Sequence, residues 1–544
     1  MHLHPRATPL PFAHQGPFVT TADGAILCFD EKHAHRSVDE GVTWKSFPLF
    51  SSPEKFKVSG ERALVCTREG TLIAAWINLV ELQRGLDNNW GGSAEEFAHW
   101  ILPNYLSRSH DHGRTWDEPI LINRPWCGCV HSMIQTRTGR IVLVGQEIIP
   151  AWRHATVMFF SDDEGATWKR SNVLDIGHGE HDHAGSCEGT VIERSNGFLY
   201  LLLRTEMGYL YESMSRDNGY TWREIERSKL HSVTCCAQME TLSDGTVALL
   251  WNPPPRYDPT EPAARDELAI AFSETEGRSW SNPTIIAADY PSARPDNHWW
   301  RVSYPYLYER SPGELWITTM QGDLRIKIDR QEINQGSIPL PPIVVMFGDS
   351  TIARRPGAVK TTSSQHLQAH LLAAGLDAVV SNGGVPANNT EDAIARLESD
   401  VLALKPRLVV MQFGINDAAI DVWSIPPATG PRVKLEKFIA NFREMITRLQ
   451  AQGSAVVLMT TNPMYWSPIL RERYSAPPYN PADPESFNRI MLNGYNAAVR
   501  DLAAELSLPL VDINAAYVKS NDPTSFLLPD GHHPADAGHK LLAD

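Results

Sequence analysis

One short phrase recurs five times in the first 330 residues and constrains the fold more than any other feature. The copies follow the template S-x-D-x-G-x-T-W, and the fifth has Thr275 at the Asp position and Ser279 at the Thr position. They are SVDEGVTW (37–44), SHDHGRTW (109–116), SDDEGATW (161–168), SRDNGYTW (215–222) and SETEGRSW (273–280). Intervals of about 50–70 residues between copies favour propeller blades over solenoid turns.

The chemistry of the phrase predicts a tight turn between two strands. An Asp accepts backbone N–H bonds across such a turn, a Gly takes up positive φ, and a Trp packs between neighbouring blades. Short apolar segments that follow Gly-containing turns surround the copies, namely GRIVLVG, GFLYLLLR, GTVALLW and GELWITT. Short strands at even spacing indicate a closed all-β array.

The five phrases resemble the Asp-box of sialidases and related propellers, over about residues 10–325. The resemblance implies a six-bladed sialidase-like β-propeller in which the boxes are structural. It also places four residues where sialidases bind their glycan: Glu188, Arg204, Arg265 and Tyr304. The R-I-P motif of sialidases has no counterpart in FAHQGPFVTTADG, which weighs against sialic-acid binding. Three interpretations stay open: a glycan-binding or positioning propeller, a glycosidase of altered specificity, and a true sialidase.

The hydrophobic period changes near residue 330. The segment 331–342 is rich in Pro, Gly and polar residues and is predicted to be a linker. Beyond it, apolar strands without alternation are interleaved with amphipathic helices, which predicts a parallel sheet covered on both faces. The predicted domains are therefore a propeller at 1–330, the linker, and an α/β domain at 343–544.

Three short blocks follow predicted strands of this second domain and suit acyl transfer. They are GDS with Ser350, FGIND with Asn416, and DGHHP with Asp530 and His533. Acyl transfer needs a nucleophile, a base, a carboxylate that orients the base, and donors to the oxyanion. Ser350, His533 and Asp530 fill the first three roles. The Asn416 side chain and the Ser350 backbone N–H supply donors.

Each of these residues also has a structural interpretation. Ser350 could instead cap a helix, and Asn416 with Asp417 could cap a turn, but the catalytic interpretation is preferred. His532 is expected to be a bystander. Asp349 is expected to support the turn through local hydrogen bonds rather than to take part in chemistry.

The three blocks in this order resemble the SGNH/GDSL hydrolases over residues 343–544, which implies a three-layer flavodoxin-like α/β fold. The family's N-x-G-V-x-G block corresponds to NGGVPANNT, with Ala387 at the second glycine. The resemblance makes the Ala387 N–H a further oxyanion donor, provided that its φ is negative. Gly383 and Gly384 are interpreted as turn glycines.

Members of this family include carbohydrate O-acetylesterases, and the glycosidase-like propeller favours that activity here. We therefore expect a serine esterase with an O-acetylated glycan as substrate and with no cofactor. Two alternatives stay open. One is a bifunctional sialidase-like glycosidase and esterase, and the other is an aryl or lipid esterase with the propeller as an interaction module.

Charge and hydropathy argue against some classes of binding partner. The formal net charge of −15 argues against nucleic acid. No apolar run has the length of a bilayer-spanning helix, so no membrane partner is expected. No signal peptide is visible, which suggests a cytoplasmic protein or a trimmed secreted one. The oligomeric state is left open.

All seven cysteines precede residue 240 and match no common zinc spacing. The pairs Cys127–Cys129 and Cys235–Cys236 could bind metal, but buried small residues are the preferred interpretation, so no metal is expected. The His-rich segment Asp175–Gly189 is interpreted as a loop in which His181 or His183 could contact a sugar.

Overall fold

The computed structural model describes residues 1–83, 99–124, 126–150, 153–179, 184–259, 264–290 and 301–544. The chain forms two compact units. The first is built mainly from Met1–Pro255, Glu261–Asp289 and His298–Ile338, and the second mainly from Pro339–Asp544. The sequence-based domain limits, 1–330 and 343–544, stay a prediction beside these contact-defined units.

The first unit is a six-bladed propeller of antiparallel sheets, as predicted. Two short N-terminal strands, β1 (His2–Leu3) and β2 (Thr8–Pro9), precede the blades. Blade one contains β3 (Val19–Thr20), β4 (Ile26–Phe29), β5 (His33–Ser37) and β6 (Lys45–Pro48). Blade two contains β7 (Val58–Cys66), β8 (Leu72–Asn78), β9 (Asn104–Ser109) and β10 (Ile120–Asn123). Blade three contains β11 (Met133–Gln135), β12 (Ile141–Ile149), β13 (Arg153–Ser161) and β14 (Lys169–Arg170).

The remaining blades follow in chain order. Blade four contains β15 (Cys187–Glu193), β16 (Leu199–Arg204), β17 (Tyr209–Ser215) and β18 (Arg223–His231). Blade five contains β19 (Gln238–Thr241), β20 (Val247–Trp251), β21 (Glu267–Ser273) and β22 (Thr284–Ala288). Blade six contains β23 (Ser303–Ser311), β24 (Glu314–Gln321) and β25 (Arg325–Asp329). The first strand of each blade contributes to the lining of one cavity of about 820 Å³, with Val19, Val65, Ile134, Ile192, Met239 and Leu307.

The N-terminal strands complete the ring of blades. β2 pairs antiparallel with β25, with Thr8 opposite Lys327, and so becomes the outer strand of blade six. β1 pairs with β22 and adds a fifth strand to blade five. The last blade is therefore built from both ends of the propeller sequence, and β2 covers the outer edge of β25.

Each recurring phrase joins the third strand of a blade to the fourth. In the copy at 161–168, Asp163 accepts hydrogen bonds from the backbone N–H of Thr167 at 2.8 Å and from its hydroxyl at 2.6 Å. Gly165 has φ +78°, and a Cβ there would lie 2.7 Å from Ile73 of the preceding blade. The glycine therefore serves the turn and also the close approach of adjacent blades.

The fifth copy keeps the turn with weaker groups. The hydroxyl of Thr275 accepts from the Ser279 N–H at 2.8 Å and lies 2.7 Å from the Ser279 hydroxyl. Blade six has no such phrase after β25 because its fourth strand comes from the N-terminus.

The second unit is a parallel five-stranded sheet, as the unalternating apolar strands predict. Its strands are β26 (Ile343–Gly348), β27 (Val379–Gly384), β28 (Leu408–Gln412), β29 (Ala455–Met459) and β30 (Leu510–Val511). The spatial order is β27-β26-β28-β29-β30, a doubly wound order that reverses direction beside β26. Ligand sites of such sheets lie beyond the carboxyl ends of the strands at this reversal.

Helices connect these strands in the α/β manner. They are α1 (Ser363–Ala373), α2 (Thr390–Asp400), α3 (Ile415–Ala418), α4 (Leu435–Ala451), α5 (Pro468–Tyr474), α6 (Asn493–Glu505), α7 (Ile513–Lys519) and α8 (Asp536–Ala543). α1 begins with a capping box in which Thr362 and Gln365 exchange hydrogen bonds. Within the described part of the chain, we find no helix with the length and apolar character needed to cross a membrane.

Candidate active site

The turn after β26 holds Ser350 in a buried position. Gly348 ends the strand, and a Cβ there would lie 2.6 Å from Ile352, so the turn packs tightly against it. The Asp349 carboxylate accepts the Thr351 N–H at 2.8 Å, and its carbonyl accepts the Ile352 and Ala353 N–H groups. These local bonds are those expected of a supporting aspartate. Burial raises the pKa of Asp349 to about 6.

Ser350, His533 and Asp530 form one chain of hydrogen bonds. The Ser350 hydroxyl lies 3.0 Å from His533 Nε2. On the other side of the ring, His533 Nδ1 lies 2.8 Å from Asp530 Oδ2. The other Asp530 oxygen accepts the backbone N–H of His533 at 3.0 Å. With Nδ1 protonated towards the carboxylate, Nε2 presents a lone pair to the serine hydroxyl.

The loop that carries Asp530 and His533 is held at several points. Gly531 has φ +81°, and a Cβ there would collide with the carbonyl oxygen of Tyr465. The Gly531 carbonyl accepts the Tyr465 N–H at 2.8 Å, and the Asp530 carbonyl accepts the Ser467 hydroxyl at 2.7 Å. The Leu528 N–H donates to the His533 carbonyl at 2.8 Å. These bonds fix the relative positions of Asp530 and His533.

Electrostatics keep Asp530 ionised and the neighbouring His532 neutral. Burial alone would raise the pKa of Asp530, but the hydrogen bonds from His533 and from two backbone N–H groups hold it well below its usual range. Burial and the adjacent His533 lower the pKa of His532 to about 4. His532 turns its Nδ1 to the Asp530 carbonyl at 3.2 Å rather than to Ser350.

The predicted oxyanion donors lie on three separate segments. Ala387 has φ +65°, so the condition of a negative φ is not met, and the alanine holds a left-handed conformation that glycine adopts more easily. Its N–H remains present. Among the described residues, no protein group accepts a hydrogen bond from the N–H of Ser350 or of Ala387. Both N–H groups are therefore available to a ligand.

Asn416 lies at the start of α3 and is only half-buried. Its side-chain N–H donates to the Asn388 carbonyl at 3.0 Å. The side-chain oxygen of Asn416 accepts a hydrogen bond from Arg432 at 3.2 Å. Arg432 also donates two hydrogen bonds of 2.8 Å to the Asp421 carboxylate. Arg432 thus fixes the orientation of the amide and leaves its second N–H uncommitted to these partners.

Sequence reasoning missed an arginine that supports the oxyanion loop. Arg396 of α2 donates to the Gly348 carbonyl at 2.8 Å and to the Asn388 side chain at 2.6 Å. It therefore links the strand that leads to Ser350 with the loop that carries Ala387. Its spacing to Asp400 in the helix indicated only an ordinary surface ion pair.

Gly383 and Gly384 are not turn glycines, contrary to our interpretation. Both end β27, and neither has a positive φ. At Gly384 a Cβ would collide with the backbone of Ile352 and Ala353, so the glycine is required by close approach to the Ser350 turn.

The four predicted glycan-contacting residues of the propeller also come together. The Tyr304 hydroxyl donates to Glu188 at 2.7 Å, and Arg204 lies 2.6 Å from the other oxygen of that carboxylate. The Arg265 guanidinium lies 5.4 Å from the centre of the Tyr304 ring and donates to the Thr234 carbonyl at 2.7 Å. Glu188 and Tyr304 both have left-handed φ, at +48° and +56°. Backbone strain of this kind is common at functional sites.

Charge decides the ionisation of this cluster. Burial opposes ionisation of Glu188, but the positive charge of Arg204 outweighs it and lowers the pKa of Glu188. Burial and the Glu188 charge raise the pKa of Tyr304 well above its usual value. The tyrosine is therefore a neutral donor to an ionised carboxylate.

Two clusters of the described residues offer metal-ligand atoms within 4.8 Å of one another. One consists of Asp530, His532 and His533, and the other of Cys129, His131 and Cys236. The first is part of the Ser350 site. His181 and His183, which we considered for sugar contact, lie outside the described residues.

Comparison with known proteins agrees with both units. Residues 346–541 match the GDSL-like Lipase/Acylhydrolase family, and residues 87–317 match the BNR repeat-like domain. An uncharacterized lipoprotein, YqeF of Bacillus subtilis (strain 168), is 30% identical over 182 residues, which cover 30% of this chain and 70% of the relative. An acetylxylan esterase of Geobacillus stearothermophilus is 31% identical over 172 residues, which cover 30% of this chain and 68% of the relative.

Among solved structures, the Hadza microbial sialidase Hz136 matches with a TM-score of 0.43 and 22% identity, over 58% of this chain and 65% of that one. The chain thus spans slightly less than two thirds of the sialidase.

The doubly wound sheet and these matches define the second unit as an ester hydrolase of the α/β class. The chain belongs to the GDSL-like lipase/acylhydrolase family, with a BNR, sialidase-like propeller preceding that domain in the sequence.

Proposed function

We propose that the second unit removes O-acetyl groups from carbohydrates, with Ser350 as nucleophile, His533 as general base and Asp530 as the carboxylate that orients it. The observation that carries this proposal is the 3.0 Å distance between the Ser350 hydroxyl and His533 Nε2. A serine that merely capped a helix would need no such partner.

The geometry supports a two-step reaction. His533 Nε2 accepts the Ser350 proton while the hydroxyl oxygen bonds to the ester carbonyl carbon, which gives a tetrahedral oxyanion. The C–O bond to the sugar then breaks, and the sugar oxygen takes the proton from His533. Water next attacks the acetyl-serine and gives its proton to His533, and acetate and free Ser350 follow. Asp530 stabilises the imidazolium in both steps.

Three donors are assigned to the oxyanion. They are the N–H groups of Ser350 and Ala387 and the second side-chain N–H of Asn416. Loss of a single donor of this kind typically costs about 100- to 1,000-fold in kcat. Arg396 and Arg432 act as positioning residues because they hold Asn388 and Asn416 rather than the substrate.

The carbohydrate assignment rests on two supports. The relative from Geobacillus stearothermophilus is named an acetylxylan esterase. The propeller of the same chain contains a buried cluster of Tyr304, Glu188, Arg204 and Arg265, whose residue types suit a polar, anionic or hydroxylated ligand. The alternative substrate class for the second unit is an aryl or lipid ester.

The mechanism is tested with Ser350→Ala and His533→Ala. Each is expected to lower p-nitrophenyl acetate hydrolysis by at least about 1,000-fold because the nucleophile or its base is lost. Circular dichroism checks the fold. The matched control is His532→Ala, which is expected to keep most of the activity. Near-normal turnover in either of the first two variants would refute the proposal.

The substrate is tested by acetate release from acetylated xylooligosaccharides and O-acetylated sialic acid, compared with butyrate and longer-chain esters. We expect the highest kcat/KM on an acetylated sugar, and no release by Ser350→Ala. A preference for long acyl chains would assign the domain to lipid esters instead, while leaving the roles of Ser350 and His533 intact.

A second candidate function is glycoside cleavage by the propeller. The specific observation is the 2.7 Å hydrogen bond from Tyr304 to an ionised Glu188, which would allow the carboxylate to activate the phenol as nucleophile. Methylumbelliferyl glycosides test this on the full chain. Cleavage that persists in Ser350→Ala and is lost in Tyr304→Phe would support it. If neither protein cleaves any glycoside, the cluster binds glycan at most.

A further inference from the structure

A cluster of two thiols and one imidazole lies at the start of the inner strands of the propeller. Cys129 and His131 precede β11 of blade three, and Cys236 precedes β19 of blade five. The three side chains are buried, with exposed fractions of 2%, 3% and 0%. Their ligand atoms all lie within 4.8 Å of one another. This cluster takes no part in the chemistry assigned above to Ser350 or to Tyr304.

The hydrogen bonding of His131 is that of a metal ligand. Its Nε2 lies 2.8 Å from the Pro305 carbonyl, so Nε2 carries the proton and donates it. Nδ1 therefore has a lone pair. Among the described residues no hydrogen bond of good geometry reaches this buried atom, and the Cys236 thiol is the group that interacts with it. Histidines that bind metal commonly give their other N–H to a backbone carbonyl in this way. The ring also stacks on Tyr306 at 4.3 Å, which fixes its orientation.

One cysteine from each sequence pair, Cys127–Cys129 and Cys235–Cys236, belongs to the cluster. The Cys127 thiol donates to the Cys129 carbonyl at 3.6 Å, and a Cβ at Gly145 would lie 3.2 Å from its sulfur. The Cys127 side chain is therefore directed into the blade. Cys235 is not part of the cluster, although it adjoins Cys236. Because the three ligands come from blades three and five, no linear zinc spacing reveals them.

We propose that Cys129, His131 and Cys236 bind a zinc ion. Two thiolates and an imidazole are the ligands that Zn²⁺ prefers, and hard cations such as Mg²⁺ or Ca²⁺ avoid them. Tetrahedral bonds of about 2.3 Å would place the sulfurs about 3.8 Å apart. The present separations of the ligand atoms are all within 4.8 Å. The fourth position would be taken by water or by an oxygen of a bound ligand.

The ion would connect the segments before β11 and β19, on either side of blade four. The Cys236 sulfur lies 3.9 Å from the carbonyl of Glu188, so zinc would also fix the backbone beside the Tyr304–Glu188 pair. We expect it to stiffen that end of the propeller axis.

The test is zinc retained by the full chain. The protein is incubated with Zn²⁺, dialysed against metal-free buffer and measured by plasma mass spectrometry. About one zinc per chain is expected for the wild type, with loss in Cys129→Ser, His131→Gln and Cys236→Ser. Cys127→Ser and Cys235→Ser are the matched controls and should retain the ion. Co²⁺ in place of Zn²⁺ should give a thiolate charge-transfer band that the same three variants lack.

A second measurement covers variants that fail to fold. Wild-type protein stripped with a chelator should melt at a lower temperature than the same protein with Zn²⁺ restored. Wild type that retains no zinc and shows no melting shift would overturn the proposal. So would a cluster that binds no metal while Cys236 reacts unusually fast with iodoacetamide, which would indicate a thiolate–imidazole pair instead.

Discussion

Ala387, which we propose as an oxyanion donor, holds a conformation that ordinarily selects glycine. A left-handed φ of +65° costs a non-glycine residue about 1–2 kcal/mol. Part of this cost is offset because alanine restricts the unfolded chain more than glycine does. The strain persists because Arg396 fixes the neighbouring Asn388 and because the Asn388 carbonyl is held by Asn416.

Ala387→Gly is expected to keep the N–H donor and therefore to leave kcat/KM for p-nitrophenyl acetate within about 3-fold of the wild type. The free energy of unfolding should rise by less than about 1 kcal/mol, since strain relief exceeds the entropic cost only slightly. Urea denaturation measures it. Lys405→Gly, at another left-handed position with φ +50°, is the control. A fall of 100-fold in activity would show that the alanine itself is needed.

His539 makes the second unit sensitive to acid. The side chain is fully buried, and its Nδ1 accepts the backbone N–H of Ser363 at 3.2 Å. Burial lowers the pKa of His539 from its ordinary value of 6.5 to about 4. The unfolded state therefore binds a proton below about pH 6.5 while the folded state does not, so stability is complete above that pH and falls between about pH 6.5 and 4.

We expect His539→Gln to flatten this pH dependence, by up to about 1.4 kcal/mol per pH unit, while lowering stability at pH 8. Urea midpoints of the second unit at pH 8, 6 and 4.5 give the slope. The exposed His370, replaced by Gln, should change the slope much less. An unchanged slope in His539→Gln would assign the acid sensitivity to other groups, such as His532.

At the scale of the element, the recurring turns differ in strength because their acceptor differs. Asp163 is ionised and accepts from Thr167 and from Ser161, whereas Thr275 offers only a hydroxyl to Ser279. Hydrogen bonds to a charged acceptor are stronger than those to a hydroxyl. The fifth turn is therefore expected to be the least stable of the five.

Asp163→Ala should destabilise the propeller by about 1–2 kcal/mol, since it leaves the Thr167 N–H to solvent at an exposed turn. Thr275→Asp should stabilise it by about 0.5 kcal/mol by restoring the acceptor. Thermal unfolding followed by tryptophan fluorescence compares them, with Ala166→Ser, at an exposed position of the same turn, as control. If Thr275→Asp destabilises the propeller, the fifth turn is held by something other than its acceptor.

At the scale of the whole molecule, the propeller ring is closed by strand β2, which lies within residues 1–9. Blade five has four strands of its own and only gains β1, whereas blade six has three and needs β2. The pairing of Thr8 with Lys327 and of Pro9 with Ile326 is what completes blade six.

Removal of residues 1–9 should lower the melting temperature of the propeller and broaden its transition, because β25 loses the strand that pairs with its outer edge. Removal of residues 1–4 is the matched control and should have a much smaller effect. The hydrolysis of p-nitrophenyl acetate should continue in both, since the second unit has its own core. Equal effects of the two truncations would contradict the closing role of β2.

Local motifs were predictable and long-range geometry was not. The turn chemistry around Asp163 and the ordered blocks around Ser350, Asn416 and His533 depend on residues close in sequence, so their patterns are visible in one chain. The roles of Gly384 and Arg396 depend on which backbone lies opposite, and the alignment of Cys129 with Cys236 depends on the curvature of the ring. None of these has a periodic signature.

The outer strand of blade six also sets an order of events during synthesis. β2 is translated more than 300 residues before its partner β25. Until then the nascent propeller cannot close, and the edge of β2 stays unpaired while five blades assemble. The GDSL-like domain is translated only after β25, so the propeller can complete its ring before the esterase begins to fold.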